Sequence, residues 1–205
     1  MEKLKFKIYF EEGKPVSFES NRIIVRRFQK DDWHDLQKIA LSNVRSPFAD
    51  CDEAWPTDDN SIQDMVTYFS QNDPFWAIAA KEVGEVVCFV NFNGIDDHKC
   101  LDIGHVMNSD YFGRDYEYEG LWMLYDYAFT YLSIDSIQAN WALADKNKLL
   151  PLQKLGMKAV NTYSHPKFTE NSDGNKSFFE GCTLAIQKVD WINTVYIDGK
   201  GNDDV

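Results

Sequence analysis

Residues 75–144 constrain the fold more than any other part of the chain. FWAIAAK (75–81) and EVVCFVNFNGI (85–95) are β-rich runs joined by Glu82, Val83 and Gly84, a hairpin signal. After the turn DDHK (96–99), CLDIGHVMN (100–108) continues the meander as a third strand. LWMLYDYAFTYLSI (121–134) predicts a strongly apolar helix, buried on most sides, and SIQANWALA (136–144) alternates as a strand. Strand, helix and strand in that order make a right-handed crossover, so 100–108 and 136–144 are expected to lie parallel. Ligands of such sheets favour the carboxyl ends of the strands. YFGRDYEYEG (111–120) lies at that place, where unpaired amides and the dipole of a helix start receive an anion. The same stretch carries Asp115, Glu117 and Glu119, which oppose one.

The flanking sequence extends this plan. LKFKIYF (4–10) alternates, with Leu4, Phe6, Ile8 and Phe10 on one side, and predicts a half-buried strand. EEGKP (11–15) reads as a turn, and RIIVRRF (22–28) as the next strand. Asp31 or Asp32 is expected to cap a helix whose apolar stripe is Leu36, Ile39 and Ala40. SPFADCDEAWPTDDN (46–60) reads as an irregular acidic loop, and Ile62, Met65, Val66 and Phe69 mark a second helix. Beyond the crossover, DKNKLLPLQKLGM (145–157) predicts a short helix closing on Gly156, with Pro151 awkward unless it lies in the first turn. AVNTYSH and KSFFEGCTLAI are the last strands, with TENSDGN as the turn between them, and DGKGNDDV is expected to fray. The expectation is one α+β domain with a central mixed, mostly antiparallel sheet and flanking helices. Residues 1–20 form an N-terminal strand extension, 21–191 the domain and 192–205 a tail.

Composition excludes some classes of partner. The net charge is −12, from 21 basic and 33 acidic groups, and no basic run is present, which argues against nucleic acid. No run approaches membrane-spanning length, and MEKLKFKIYF has no continuous apolar core of a secretory signal. The expected setting is the cytoplasm, with free thiols. Cys51, Cys88, Cys100 and Cys182 lack the paired spacing of a zinc site, and Cys88 and Cys182 sit in apolar surroundings that mark core residues rather than nucleophiles.

RIIVRRF, GEVVCFVNFNGID, LDIGHVMNSDYFGRDYEYEGLWMLYDYAF, KLLPLQKLGMKAV and SDGNKSFFEGCTLAI together resemble the GNAT superfamily of acyl-CoA-dependent N-acyltransferases. The likeness covers most of residues 20–191 and looks nearest to the branch that acetylates ribosomal-protein N-termini. It implies acetyl-CoA as cosubstrate and an amine acceptor, either a peptide N-terminus or a small amine, with direct attack in a ternary complex. A homodimer is an admissible assembly. The resemblance implies that the pantetheine arm enters between strands 100–108 and 136–144 and pairs with the backbone of Val106, Met107 and Asn108. It places the pyrophosphate over the amides of Gly113, Arg114, Asp115, Tyr116, Glu117 and Tyr118. Four positions depart from the family pattern. Asp115 stands for the second glycine of the loop and Glu117 for a small residue, while Asp145 and Lys148 stand for an Asn and a Ser beside the cofactor arm. A carboxylate ~4 Å from a phosphate costs ~1 kcal/mol in water and several times that when partly buried. These departures motivate an alternative, a GNAT-fold binding or regulatory protein that has lost CoA binding, or one that takes a less anionic ligand.

Acyl transfer to an amine needs a group that takes the amine's proton. Asp102 and His105 are the candidates, on opposite faces of a regular strand unless a β-bulge intervenes. Tyr111, Tyr116 and Tyr118 are candidate acids for the leaving thiolate, although packing around the loop is the simpler role for them. Lys148 reads as solvated, and His34, His98 and His165 as surface or turn residues. The acidic loop holds Asp50, Asp52, Glu53, Asp58 and Asp59, which attract a cationic amine if they face the site, and Trp55, which then covers it.

Overall fold

Two apolar faces on a single sheet organise the chain. In the computed structural model, which describes residues 4–170 and 175–194, nine strands run in the order β1-β2-β3-β4-β5-β6-β7-β9-β8. They are β1 (Lys7–Glu11), β2 (Lys14–Glu19), β3 (Ile23–Arg26), β4 (Phe75–Ala80), β5 (Glu85–Ile95), β6 (Cys100–Met107), β7 (Ser136–Ala142), β8 (Lys158–Pro166) and β9 (Phe178–Gln187). The helices are α1 (Trp33–Val44), α2 (Asp59–Gln71), α3 (Tyr116–Tyr131), α4 (Lys146–Lys154) and α5 (Lys188–Ile192). Among the described strands only β6 and β7 pair in parallel, as the crossover predicts. The fold is the expected α+β domain.

Alternation along β4 shows how the sheet serves two cores. Trp76, Ile78 and Ala80 join α3, α4 and α5 on one face, while Phe75, Ala77 and Ala79 face α1 and α2 on the other. Leu36, Ile39 and Ala40 of α1 are buried there with Ile62, Val66 and Phe69 of α2. On the opposite side α3 comes very close to β4: a Cβ added at Gly120 would lie 2.3 Å from Ile78 Cδ1. Trp191 of α5 packs on Trp122, Tyr125 and Phe129 of α3.

Several local expectations change. Residues 14–19 form a strand, because Glu12 and Gly13 take positive φ (49° and 80°) and close a tight hairpin directly onto Lys14. A register shift falls between Tyr9 and Phe10, and Phe10 is exposed, with its ring edge-on to Tyr131 of α3. Asp32 sits at the start of α1 without capping it; its carboxylate accepts the Gln29 N–H and a two-point bond from Arg26 at 2.7 and 2.8 Å. Asp58 caps α2 through the Ser61 N–H. The crossover helix begins at Tyr116, more than a turn ahead of its apolar run. Pro151 lies inside α4, beyond its first turn. Of the expected turn at 169–175 and the expected fraying end, 171–174 and 195–205 lie outside the described residues.

Candidate active site

The site is built where the one parallel pair comes apart. β6 and β7 are in register from Cys100↔Ser136 to Ile103↔Ala139 and no further. β6 continues to Met107 paired only with β5, and β7 continues to Ala142 paired only with β9. From Gly104 onward, the edge of β6 that faces β7 has no partner strand, so its amides and carbonyls are available to a ligand.

Three cavities meet at this opening. One of about 540 Å³ lies between the start of α3 and α4, lined by Met107, Gly113, Glu117, Tyr118, Pro151 and Lys154 among others. A second, about 250 Å³, is shared by the end of α1, Val106, Met107, Asp145, Asn147 and Lys148. A third, about 300 Å³, lies under the acidic loop and is lined by Asp52, Glu53, Trp55, Asp102, His105 and Trp141.

The loop into α3 has the shape of an anion cradle. Gly113 has φ +78° and Asp115, at the helix N-cap, has φ +62°, the left-handed backbone that glycine adopts most freely. An Asp there costs about 1 kcal/mol. Each of the opposing carboxylates predicted from the sequence has a partner. Asp115 pairs with Lys154 at 2.7 Å. Glu119 turns away to Ser20 and to Arg22, which lies at 3.4 Å. Glu117 turns inward, 4% exposed, and meets His105. The electrostatic penalty expected on the anion is therefore reduced at Asp115 and Glu119, each of which faces a cation.

His105 is fully buried, with Nδ1 2.6 Å from Glu117 Oε1. Facing a carboxylate, Nδ1 carries a hydrogen. Nε2 has no partner among the described residues, although burial normally demands one. The Trp141 ring stands edge-on at 5.1 Å. Glu117 also receives the Cys88 thiol at 3.7 Å. Burial and this carboxylate push the Cys88 thiol well up, so it stays protonated and inert. Asp102 and His105 lie three apart on a regular β6, and the bulge falls in β5, between Phe92 and Gly94. Asp102 therefore faces the acidic loop, where Asn93, Gln138 and Asn140 donate to it at 2.5, 3.1 and 2.9 Å.

The other predicted residues separate clearly. Asn108 is buried and accepts the Asp110 N–H, fixing the turn before the loop. Asp145 is the N-cap of α4, accepting the Lys148 N–H. Tyr111 and Tyr116 commit their hydroxyls to Glu85 and Glu82, while Tyr118 lines the large cavity, and burial raises its pKa. Arg114 lies outside that cavity, in an open recess with Arg22 and Lys81. Of the acidic loop, Asp52 and Glu53 line the third cavity with Trp55, while Asp50 is held by Lys167 at 2.7 Å and Asp58 serves as a cap. His34, His98 and His165 are exposed. Lys148 corrects its expectation: its side chain is largely covered, folded over Trp141 rather than extended into solvent.

Lys154, and the pairing of Glu117 with His105, escaped sequence reasoning. Lys154 had no local signal, since its partner lies across a helix–loop contact. Glu117 had one: with Leu121, Leu124 and Ala128 it falls on the buried stripe of α3 at spacings of four and three. Pro151 adds a third feature. It lacks the N–H that would bond the Asn147 carbonyl, so that acceptor is left without its helical donor beside the large cavity.

Comparison with known proteins agrees with this geometry. The family model of the Acetyltransferase (GNAT) domain matches residues 22–158, and the chain belongs to that family. It is 26% identical over 160 residues to the Bacillus licheniformis protein named Uncharacterized N-acetyltransferase p20, covering 72% of this chain and 81% of that one. A GNAT-family acetyltransferase structure from Bacillus anthracis superposes with TM-score 0.70 at 16% identity, covering 85% of this chain and 99% of the other. The ribosomal-protein-S5-alanine acetyltransferase of Vibrio fischeri superposes with TM-score 0.67 at 15% identity, covering 86% and 98%. At such identities the two structures speak for the fold alone.

Proposed function

We propose that the protein is an acetyl-CoA-dependent N-acetyltransferase acting on a cationic amine, a peptide N-terminus or a small amine. The observation that carries the reading is the opening of β6 from β7, with His105 and Glu117 bridging the cavities on its two sides. The free edge of β6 around Met107 suits an extended amide-bearing arm, and the 540 Å³ cavity has room for it, whereas the Asn108 N–H and C=O, expected to join in, are already bonded to the Val87 carbonyl and the Tyr111 N–H. Asn147 offers that arm a carbonyl. The first amides of α3, Asp115, Tyr116 and Glu117, face an anion at the helix start, and Lys154 can leave Asp115 for a phosphate. The bound cosubstrate supplies the activated acyl group.

This chain's residues supply the proton handling. Three carboxylates (Asp52, Glu53 and Asp102) and the rings of Trp55, Phe89 and Trp141 line the acceptor cavity, which suits an ammonium with an apolar stem. His105 Nε2 takes the proton that makes the amine a nucleophile, and Glu117 balances the imidazolium through Nδ1. Asp102, already held by three amides, positions the acceptor's charge. Tyr118 is the phenol on the side of the leaving thiolate. The likeness to the Vibrio fischeri enzyme makes peptides with an N-terminal alanine one acceptor to try. The test is thiol release from acetyl-CoA across a panel of peptide and alkyl amines. Release that requires both an amine and His105 supports the reading, and release unaffected by His105→Ala contradicts the role of His105.

A further inference from the structure

Lys148 is buried where a lysine normally is not. Long cationic side chains usually carry their heads to water. Of the lysines on α4, Lys154 does so, at 47% exposure. The Lys148 side chain is 14% exposed; it folds over Trp141, with Nζ 3.8 Å from the ring centroid, and ends 3.6 Å from Asp52 Oδ2. Trp141 in turn packs on His105. Burial pushes the Lys148 ammonium below the ordinary lysine range, against the pull of Asp52 and Asp145, so more of it is free base. The same side chain lines the 250 Å³ cavity with Val106 and Met107, the open edge of β6. That cavity shares Met107, Glu117 and Asn147 with the larger one. Lys148 thus stands between the cavity along the open edge of β6 and two residues of the acceptor cavity, Asp52 and Trp141, beside the place where the acyl group must sit if the cleft holds an acyl thioester.

We propose that Lys148 is a self-acylation site, an internal amine that accepts the acetyl group when no acceptor fills the third cavity. The inference rests on the functional reading given above. The ammonium first gives a proton to solvent. The neutral nitrogen attacks the thioester carbonyl carbon, the N–C bond forms and the C–S bond breaks. The sulfur leaves with the electron pair and takes up the proton that the nitrogen sheds. The products are an ε-N-acetyl-lysine and free thiol. The amide carries no charge, so Asp52, on the wall of the acceptor cavity, loses its counter-ion.

The full chain is incubated with acetyl-CoA without acceptor between pH 6.5 and 9, and acetylation is followed peptide by peptide by mass spectrometry, with acetyl-CoA binding measured in parallel by calorimetry. Lys148 is expected to acquire acetyl faster than Lys146 and Lys154 by more than about tenfold, the least that holding an amine beside its donor should give. Its rate should level off at lower pH than theirs, and Lys148→Arg should remove the modification. Acetyl-CoA bound with Lys148 acetylated no faster than its surface neighbours overturns the inference and leaves the functional reading standing. No binding and no transfer overturns both.

Discussion

His105 Nδ1 lies 2.6 Å from Glu117 Oε1, and this buried pair ties the central strand to the first turn of the crossover helix. In the proposed reaction a carboxylate at that position orients the imidazole and offsets the charge that His105 would gain on taking a proton. His105→Ala is expected to lower kcat by about 10²–10⁴-fold with little change in acetyl-CoA affinity. Glu117→Gln keeps an oxygen for Nδ1 but no charge, and a smaller loss of about tenfold or more is expected, with the pH–rate profile displaced. Steady-state kinetics with matched calorimetry check both. An unshifted profile in Glu117→Gln would show the pair to be structural only.

Asp115 and Lys154 are a second coupled pair. Asp115→Gly removes a left-handed non-glycine residue and releases Lys154 toward a phosphate. Acetyl-CoA should bind several-fold tighter, more so at low salt, because the interaction is exposed and screened. Lys154→Ala should weaken binding and flatten the salt dependence. Weaker binding in Asp115→Gly would refute this account of the loop.

Gly120 lets α3 touch β4 through Ile78. Gly120→Ala forces the backbone or Ile78 to move, and a loss of about 1–3 kcal/mol is expected, read as a fall of several degrees in Tm. Gly120→Ala combined with Ile78→Val should recover part of that loss, since the clash is with the Ile78 side chain.

Lys148 gives stability a pH dependence of known sign. Its pKa is lower folded than unfolded, so between the two values the unfolded chain binds more protons and stability rises with pH. Lys148→Met keeps the contact with Trp141 and removes the buried charge. It should be more stable than the parent near neutrality, with the gap closing as the pH climbs toward the ordinary lysine pKa. Denaturant titrations at several pH values measure this, and a gap that widens with pH would contradict it.

The fold was legible because its signals are local. The meander at 75–108, the apolar helix and the parallel return strand follow from alternation, turn residues and the crossover rule. β2 was hidden because KPVSFE mixes a proline with polar residues, and only the Glu12–Gly13 turn reveals that the chain doubles back. The site was legible in position but not in charge. Sequence places Asp115, Glu117 and Glu119 at a helix start, yet their partners, Lys154, His105 and Arg22, come from α4, β6 and the segment before β3. Lys148 failed for a related reason: a lysine's default is solvent, and only packing against Trp141 and Asp52 reverses it.

The central claim is that the opening between β6 and β7, with the amides of α3, holds acetyl-CoA despite the acids around it. Calorimetric titration of the protein with acetyl-CoA at low and moderate salt tests this most directly. The account predicts saturable binding with a dissociation constant in the micromolar range, weakened by salt and by Lys154→Ala. A cooperative thermal transition with no heat of binding at either salt concentration would contradict it, and would leave a GNAT fold put to another use.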